Sequence, residues 1–228
     1  MPFGSMRHGF TFQAAGAAAG RDALTVTAGD DAQIGTSEAK FGVSSGFFNA
    51  NDYISATSDN FIFDGDFTIE FFGNLQGSNS GNIIRIGNVA DTWASGVLRL
   101  YMSSGTVNLE SYDGIGITSS YSAFDYTWRH WAIVRNGSTV TLYKDGVSQG
   151  TDTDSNTIGT STYNQLVFGY GSWGSWAGYV DEIRVSDTAR YTSGFTPSTS
   201  AFTNDSNTII LLHMDGADGS TTFTDDNS

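Results

Sequence analysis

The chain has 228 residues, a formal net charge of −14 at pH 7 and no cysteine. The charge argues against nucleic acid or an anionic membrane surface as a partner, because both would repel the chain, and the lack of cysteine excludes disulfides and thiol chemistry. No run approaches the ~18 consecutive apolar residues of a transmembrane helix, so we expect no membrane insertion.

Short apolar runs with the two-residue alternation of β-strands are separated by glycine, asparagine, aspartate and serine along most of the chain. We predict strands within residues 24–28, 41–54, 67–72, 83–87, 97–101, 107–110, 128–144, 165–168, 178–187 and 208–212. This spacing predicts about twelve to fourteen strands in an all-β, two-sheet antiparallel jelly-roll sandwich. The sandwich is expected to occupy residues 23–228.

Residues 1–22 precede the predicted strands and are expected to form an N-terminal arm. The arm contains Phe3, Phe10 and Phe12, followed by an alanine- and glycine-rich run. Either the phenylalanines dock the arm on a neighbouring copy of the chain, or the segment is a disordered terminus. The composition alone does not separate these two interpretations.

A β-hairpin is predicted within residues 128–144. Asn136-Gly137 separates its two apolar runs, and Asp145-Gly146 follows the second run. Both dipeptides favour the positive φ angles of tight turns. A strand, turn, strand, turn unit follows from this pattern.

Residues 178–187 form an apolar strand that is interrupted by Asp181 and Glu182. Strict alternation places Val180 and Ile183 on opposite faces, whereas a β-bulge at residues 181–182 turns both inward. At least one carboxylate then lies beside apolar surface and needs a hydrogen-bonding or cationic partner.

The nearest candidates for that partner lie in the predicted hairpin. We predict a structural polar core made of His130, Arg135, Asp181 and Glu182, in which a buried histidine–carboxylate pair fixes the hairpin to residues 178–187. A catalytic dyad of the same residues is the alternative, but no motif such as Gly-x-Ser-x-Gly supplies a nucleophile.

Several segments together carry a family resemblance. They are Phe-Asn-Ala-Asn-Asp-Tyr-Ile at 48–54, Phe-Thr-Ile-Glu-Phe-Phe at 67–72, Trp-x-His-x-Ala at 128–132, Leu-Tyr-x-Asp-Gly at 142–146 and Gly-Tyr-Val-Asp-Glu-Ile-Arg-Val at 178–185. In order and spacing they resemble the laminin-G-like branch of the concanavalin A-like lectin/glucanase superfamily, over roughly residues 24–228. The resemblance implies the concanavalin A-like jelly roll.

The end of the chain resembles the segment with which many members of that family begin. Residues 208–223 carry this pattern, and residues 24–34 look like its natural continuation. The domain is therefore expected to be circularly permuted relative to the usual family frame. The last strand is expected to lie beside the first within one chain, and exchange with a neighbouring subunit is the alternative.

The superfamily includes glucanases, whose catalytic signature is Glu-x-Asp-x-x-Glu on one strand. The chain has four glutamates, and none has an aspartate two residues later and a glutamate three residues beyond it. We therefore predict no catalytic residues and no enzymatic activity, with glycoside hydrolysis as a less favoured alternative.

Relatives in the superfamily often hold calcium at the rim of the sandwich through oxygen ligands. Asp215 and Asp218 are weak calcium candidates here, because they lie in an oxygen-rich turn. Turns that merely cap strands explain the same residues. No cofactor is otherwise expected.

The glycine- and serine-rich loop at residues 169–177 contains Tyr170, Trp173 and Trp176. Aromatic rings on such a loop can stack on the C–H face of a sugar at low entropic cost. We predict a glycan site from these three residues, with Trp93 and Asp91 on the same rim. The alternative is that the tryptophans fold back as a lid on the sandwich.

Residues 181–198 and 211–223 resemble modules common in tailed-phage virion proteins. By this resemblance, the chain is a non-catalytic protein of the virion surface, such as a capsid decoration, appendage or fibre component. Its partners would be other virion proteins or copies of itself, together with glycans of the host surface. A secreted or cell-surface bacterial carbohydrate-binding module, located outside the cell, is the alternative.

Overall fold

The computed structural model describes residues 21–49, 51–76, 80–119, 126–169 and 176–227. These residues form fifteen β-strands and a single turn of 3₁₀ helix at Asp59–Phe61. None of the described helices is long and apolar enough to cross a membrane. The strands form two antiparallel sheets packed face to face, which confirms the predicted all-β jelly-roll sandwich.

One sheet has seven strands, all of them within residues 26–169. In order across the sheet its strands are β1 (Val26–Gly29), β4 (Tyr53–Thr57), β13 (Gln165–Gly169), β6 (Gly81–Gly87), β7 (Leu98–Ser103), β8 (Thr106–Ser111) and β9 (Gly116–Thr118).

The other sheet has eight strands. Seven of them follow the order β12 (Val147–Thr153), β11 (Thr139–Lys144), β10 (Arg129–Asn136), β5 (Phe67–Gln76), β14 (Ala177–Ser186), β3 (Ser45–Phe48) and β2 (Gln33–Gly35), and β15 (Thr208–Leu212) also pairs with β14. The sequence did not predict β2, β9 and β12. All three lie at the end of a sheet in this order, where pairing on one side suffices for a short or polar strand.

The core lies between the sheets and follows the two-residue alternation of the strands. Phe67, Ile69 and Phe71 of β5 are each at most 1% exposed and belong to this core, as predicted. On the seven-stranded sheet Leu98 and Leu100 of β7 face them. The residues between them in β7 therefore point to the opposite, outer face.

Strand β14 contains the predicted bulge. Its pairing with β5 shifts register between Asp181 and Arg184, and Glu182 has a φ of +56°. Val180 and Ile183 consequently both lie in the core and are fully buried. The bulge thus lets β14 contain two successive carboxylates while Val180 and Ile183 both remain in the core.

One side of β14 is completed by a segment from each end of the chain. β3 pairs with residues 178–180 and β15 with residues 183–186, both antiparallel to β14. The two strands therefore run in the same direction and meet at the bulge. There the Ser44 hydroxyl donates to the Met214 carbonyl at 3.2 Å.

The tail after β15 lies against the beginning of the domain in the same chain. The N–H of Ile34 donates to the Ser220 carbonyl at 2.7 Å, and the N–H of Leu24 donates to the Asp225 carboxylate at 2.7 Å. The expectation that the last strand itself pairs beside the first is thus corrected: the tail makes these contacts, and β15 pairs with β14. Of the predicted arm, only residues 21 and 22 are within the described part.

The irregular segment 187–207 covers much of the outer face of the eight-stranded sheet. Phe195 packs on Tyr143 with ring centroids 5.3 Å apart, and Phe202 packs on Phe72 at 5.7 Å. Strand β5 is consequently buried on both faces over nearly its whole length.

Glu70 of β5 is the centre of the hydrogen bonds beneath this segment, and its side chain is 0% exposed. Its Oε1 accepts from Arg184 Nε and Nη2 at 2.9 and 2.7 Å. Its Oε2 accepts from the Tyr191 hydroxyl at 2.8 Å and lies 3.1 Å from His130 Nε2. Burial alone would raise the pKa of this carboxyl, but the hydrogen bond to His130 and the charge of Arg184 outweigh burial, and the pKa lies below its usual value.

The predicted pairing of His130 with Asp181 or Glu182 is therefore wrong. β5 lies between β10 and β14, so a side chain of β10 reaches β5 first. The register pairs Ala132 of β10 with Glu70, and His130 lies two residues away on the same face. The histidine–carboxylate pair exists, but Glu70 supplies the carboxylate.

The other members of the predicted polar core are also buried, and each binds a different loop. Asp181 accepts from the N–H groups of Lys40 and Phe41 at 2.9 and 3.0 Å. Glu182 accepts from the Phe202 N–H at 2.6 Å and lies 2.8 Å from His213 Nδ1.

Arg135 is 1% exposed and has no part in either carboxylate pair. Its guanidinium donates to the carbonyls of Phe63, Gly65 and Asn156 at 2.6 to 2.8 Å. Backbone carbonyls thus satisfy this buried cation, and it links the loops at residues 63–65 and 156 to β10.

Replacing Glu70 by alanine is expected to lower the free energy of unfolding by about 3–5 kcal/mol, because Arg184 would remain buried without its counter-charge. The exposed Glu38 is the control, and Glu38→Ala is expected to change stability by less than about 0.5 kcal/mol. Urea denaturation of both variants measures the difference. Equal stabilities of the two variants would show that the Glu70 cluster is not a principal support of the fold.

Asp181 predicts a pH dependence of stability. Burial raises the pKa of its carboxyl from 3.8 to about 7, although two backbone N–H groups donate to it. Between these values the folded chain holds a proton that the unfolded chain has lost. Raising the pH from 4 to 7 therefore removes stability, by at most about 1.4 kcal/mol per pH unit for one group.

Asp181→Asn has no proton to lose at this position. We expect its unfolding free energy, measured by urea denaturation from pH 4 to pH 8, to fall less with rising pH than that of the wild type. If the unfolding free energies of the two proteins fell equally with rising pH, Asp181 would not be the source of the pH dependence.

Candidate functional site

The outer face of the seven-stranded sheet carries a row of mostly polar side chains. Strand register places its residues side by side in the order Thr27, Ser55, Val167, Arg85, Arg99 and Glu110. Two arginines are thus direct cross-strand neighbours. Like charges in this position repel each other, so each requires its own carboxylate.

Arg85 pairs with Asp91 from the loop between β6 and β7. Their side chains are 2% and 5% exposed, and Asp91 also accepts from Asn82 Nδ2 at 3.1 Å. Burial and the neighbouring Arg99 lower the pKa of Arg85, while Asp91 acts in the opposite direction. Asp91 was predicted as a glycan ligand, and this is corrected: it is a buried partner of Arg85.

Loop 88–97 places an aromatic ring over the same face. Trp93 is 37% exposed and meets Tyr112, which is 51% exposed, at a centroid distance of 6.0 Å with a ring angle of 63°. Asp113 holds the loop by accepting from the Ser95 hydroxyl at 3.1 Å and the Gly96 N–H at 2.7 Å. These hydrogen bonds therefore connect the loop of Trp93 to that of Tyr112.

Trp93, Tyr112, Arg99, Tyr101 and Glu110 form one connected group, here called the platform. The Arg99 guanidinium lies 4.2 Å from the Trp93 ring centroid and 4.6 Å from that of Tyr101. Glu110 accepts from Arg99 Nη2 at 2.9 Å and from the Tyr101 hydroxyl at 2.5 Å. Burial, aided by the Glu110 hydrogen bond, raises the pKa of Tyr101 to about 12, so its hydroxyl remains a donor at neutral pH.

A cleft of about 250 Å³ adjoins the platform and shares Arg99 and Tyr101 with it. Its other lining residues are Ser80, Gly81, Asn82, Met102 and Ser103. Together the platform and cleft present an aromatic surface, a carboxylate and hydroxyl and amide groups. This combination of apolar surface with a few positioned polar groups is typical of ligand sites.

Two other clefts resemble a ligand site less closely. A groove of about 640 Å³ lies over β1 and β4 on the same face, but the only aromatic residue in its lining is Tyr53. A cleft of about 230 Å³ on the opposite sheet contains Phe47 and Tyr179, with ring centroids 5.2 Å apart, and Asp218.

The predicted aromatic loop is only partly in the described chain. Tyr170 and Trp173 lie outside the described residues. Trp176 is 3% exposed and packs on Phe48 and Phe168 at centroid distances of 5.6 and 5.9 Å. The prediction that Trp176 offers its ring to a sugar is therefore corrected, because the core between the sheets covers it.

The calcium candidates Asp215 and Asp218 lie in the segment that follows β15. Asp218 accepts from the N–H and hydroxyl of Thr36 at 3.1 and 3.2 Å, and both Asp215 and Asp218 are exposed. Within the described ranges, no three side chains of histidine, aspartate or glutamate form a group that could hold a metal ion.

Sequence analysis missed four platform residues, Arg99, Tyr101, Glu110 and Tyr112. The alternation of β7 and β8 could have indicated the outward-facing residues among them, because Leu98, Leu100 and Leu109 face the core and the residues between them face outward. The pairing of Trp93 with these residues depends on the path of loop 88–97 and has no sequence signature.

Comparison of folds finds carbohydrate-binding proteins and toxin domains. A candidate carbohydrate-binding protein from Bacteroides ovatus has a TM-score of 0.61 and 16% identity, covering 89% of this chain and 58% of its own. Domain 4 of the arabinanase AbnA from Geobacillus stearothermophilus, determined with arabinotriose, has a TM-score of 0.56 and 14% identity over 73% of this chain and 82% of its own.

The binding domain of Paraclostridial Mosquitocidal Protein 1 has a TM-score of 0.57 and 17% identity over 74% of this chain. The present chain spans 45% of that domain's length and 58% of the Bacteroides protein. At these identities the likeness shows a common fold. No curated protein matches the chain in sequence.

Residues 48–193 match the Laminin_G_3 family model, which is described as belonging to the concanavalin A-like lectin/glucanases superfamily. The match begins at the end of β3 and continues beyond β14, so it includes most strands of both sheets and the whole platform. The chain is a member of the Laminin_G_3 family of the concanavalin A-like lectin/glucanases superfamily.

Proposed function

We propose that this chain is a glycan-binding module and that the platform with its adjoining cleft is the binding surface. The observation that carries the proposal is the exposed Trp93–Tyr112 pair beside the hydrogen-bonded group of Arg99, Tyr101 and Glu110. The fold is shared with a candidate carbohydrate-binding protein and with an arabinanase domain determined with arabinotriose, which supports the same function.

Binding combines stacking with hydrogen bonds. The C–H face of a sugar packs on Trp93 and Tyr112, while its hydroxyl groups contact Glu110 and the polar groups of the cleft. Arg99 lies between two rings and bonds Glu110, so the polar groups are already oriented before the sugar arrives. Such preorganisation reduces the entropic cost of binding.

The proposed function is binding without hydrolysis. Glycoside hydrolases use two carboxylates that flank the scissile bond, whereas Glu110 is the one carboxylate of the platform. Asp91 is buried against Arg85, and Asp113, which follows Tyr112, accepts hydrogen bonds from the Ser95 hydroxyl and the Gly96 N–H. Both aspartates are thus engaged in holding the loops beside the platform, which supports binding rather than hydrolysis.

We further propose that the module belongs to the surface of a bacteriophage virion. Support for this setting comes from the resemblance of residues 181–198 and 211–223 to modules of tailed-phage virion proteins. A net charge of −14 also suits a solvated particle surface. A secreted bacterial carbohydrate-binding module is the second candidate, supported by the same fold relatives.

Trp93→Ala is expected to weaken glycan binding at least tenfold, since aromatic side chains that a ligand covers often contribute about 2 kcal/mol or more to the free energy of binding. A glycan array identifies the ligand, and titration calorimetry then measures the affinity of each variant. Tyr179→Ala is the matched control, because it removes a ring from the aromatic cleft on the opposite sheet. Its affinity is expected to equal that of the wild type.

Loss of binding in Tyr179→Ala with normal binding in Trp93→Ala would move the site to the opposite sheet. The absence of any glycan ligand for the wild type would contradict the proposed function itself.

For the proposed setting, we expect the protein to sediment with intact particles in a density gradient of a lysate from its natural source. Detection of the chain by mass spectrometry in the particle fraction supports a virion protein. Its presence only in the particle-free culture medium would favour the secreted module.

A further inference from the structure

The charge that the platform presents to solvent is negative. The side chain of Glu110 is 35% exposed, whereas that of its partner Arg99 is 7% exposed. A second ion pair of this face, Arg85 with Asp91, is 2% and 5% exposed. A ligand that reaches the platform therefore meets a carboxylate, while both guanidinium groups lie beneath the surface.

The hydrogen-bonding capacity of Glu110 points to the chemistry of its ligand. Its Oε2 accepts from Arg99, and its Oε1 accepts from the Tyr101 hydroxyl. An ionised carboxylate offers about four acceptor positions and no donor. Each oxygen thus keeps capacity for a hydroxyl donor, and hydrogen bonds to an ionised acceptor are stronger than neutral ones.

We propose that the platform selects uncharged glycans, whose hydroxyl groups donate to Glu110, and excludes glycans with carboxylates, such as sialylated or uronic-acid oligosaccharides. This inference rests on the proposed glycan-binding function and assigns its ligand class. Arg99 does not attract an anionic sugar strongly, because its side chain is 7% exposed and the rings of Trp93 and Tyr101 lie on its guanidinium, whereas Glu110 is the more exposed partner.

Electrostatics sets the expected size of the discrimination. Two like charges about 5 Å apart reduce affinity about fourfold if bulk water separates them and more than about a hundredfold near a protein surface, so a tenfold reduction lies within this range. The net charge of −14 adds a longer-range repulsion that slows the approach of anions. Salt screens both effects, so the discrimination is expected to shrink at high ionic strength.

The test compares ligands that differ only in charge. The probes are 3′-sialyllactose and its carboxyl methyl ester, and oligogalacturonides with their methyl-esterified forms, with arabinotriose and lactose as neutral sugars. Affinities are measured by calorimetry for the wild type and for Glu110→Gln. Glu38→Gln is the matched control, because it removes the same charge from an exposed position outside the platform.

For the wild type at low salt, we expect each esterified probe to bind at least about tenfold more tightly than its anionic form. The ratio is expected to narrow toward one in Glu110→Gln and to remain unchanged in Glu38→Gln. Circular dichroism establishes that both variants fold. If Glu110→Gln does not fold, the salt dependence of the wild-type ratio, which should fall between 20 mM and 500 mM NaCl, provides the same test.

Equal or tighter binding of the anionic forms to the wild type would overturn the inference while leaving glycan binding intact. A ratio that is the same in Glu110→Gln and in the wild type would likewise overturn the role of Glu110. If none of the neutral or anionic sugars binds the wild type, the proposed function fails and this inference fails with it.

Discussion

The arrangement of this domain depends on a buried carboxylate. Glu70 is fully buried in the middle of β5 and receives hydrogen bonds from Arg184 of the neighbouring β14 and Tyr191 of the covering segment, and it is paired with His130 of β10. A carboxylate in this environment requires such partners, since burial without them is costly. One residue therefore joins two neighbouring strands and an irregular segment, and it requires segment 187–207 to lie on the outer face of the eight-stranded sheet.

The position of that segment determines how much of each outer sheet face remains accessible. Much of the outer face of the eight-stranded sheet is covered, whereas the outer face of the seven-stranded sheet keeps the platform and its cleft accessible. Both outer faces contain the same kind of ion pair. Arginines are matched to carboxylates across strands, as in Glu70 with Arg184 and in Glu110 with Arg99. The two pairs differ in exposure, because the side chain of Glu70 is 0% exposed and that of Glu110 is 35% exposed.

Carboxylates also connect the segments near both ends of the described chain to the sandwich. β3 and β15 lie in succession along β14, and the carboxylates at the bulge between them bind the loops that lead into this junction. Asp225 connects the tail to Leu24 and to Leu211 of β15. The described chain thus closes on itself through buried acidic side chains, in a protein with 24 acidic and 10 basic residues.

The sequence by itself determined the all-β sandwich, most of its strands, the bulge at Asp181 and Glu182 and the core face of β5. These features depend on local alternation and on turn residues, which are visible in a single chain. Only the tertiary structure decided that His130 pairs with Glu70, that Trp176 is in the core and that Trp93 joins Arg99, Tyr101, Glu110 and Tyr112. The physical reason is that these contacts depend on strand order and on the paths of loops. Their partners are far apart in sequence, or their order along the chain does not show that they are close in space.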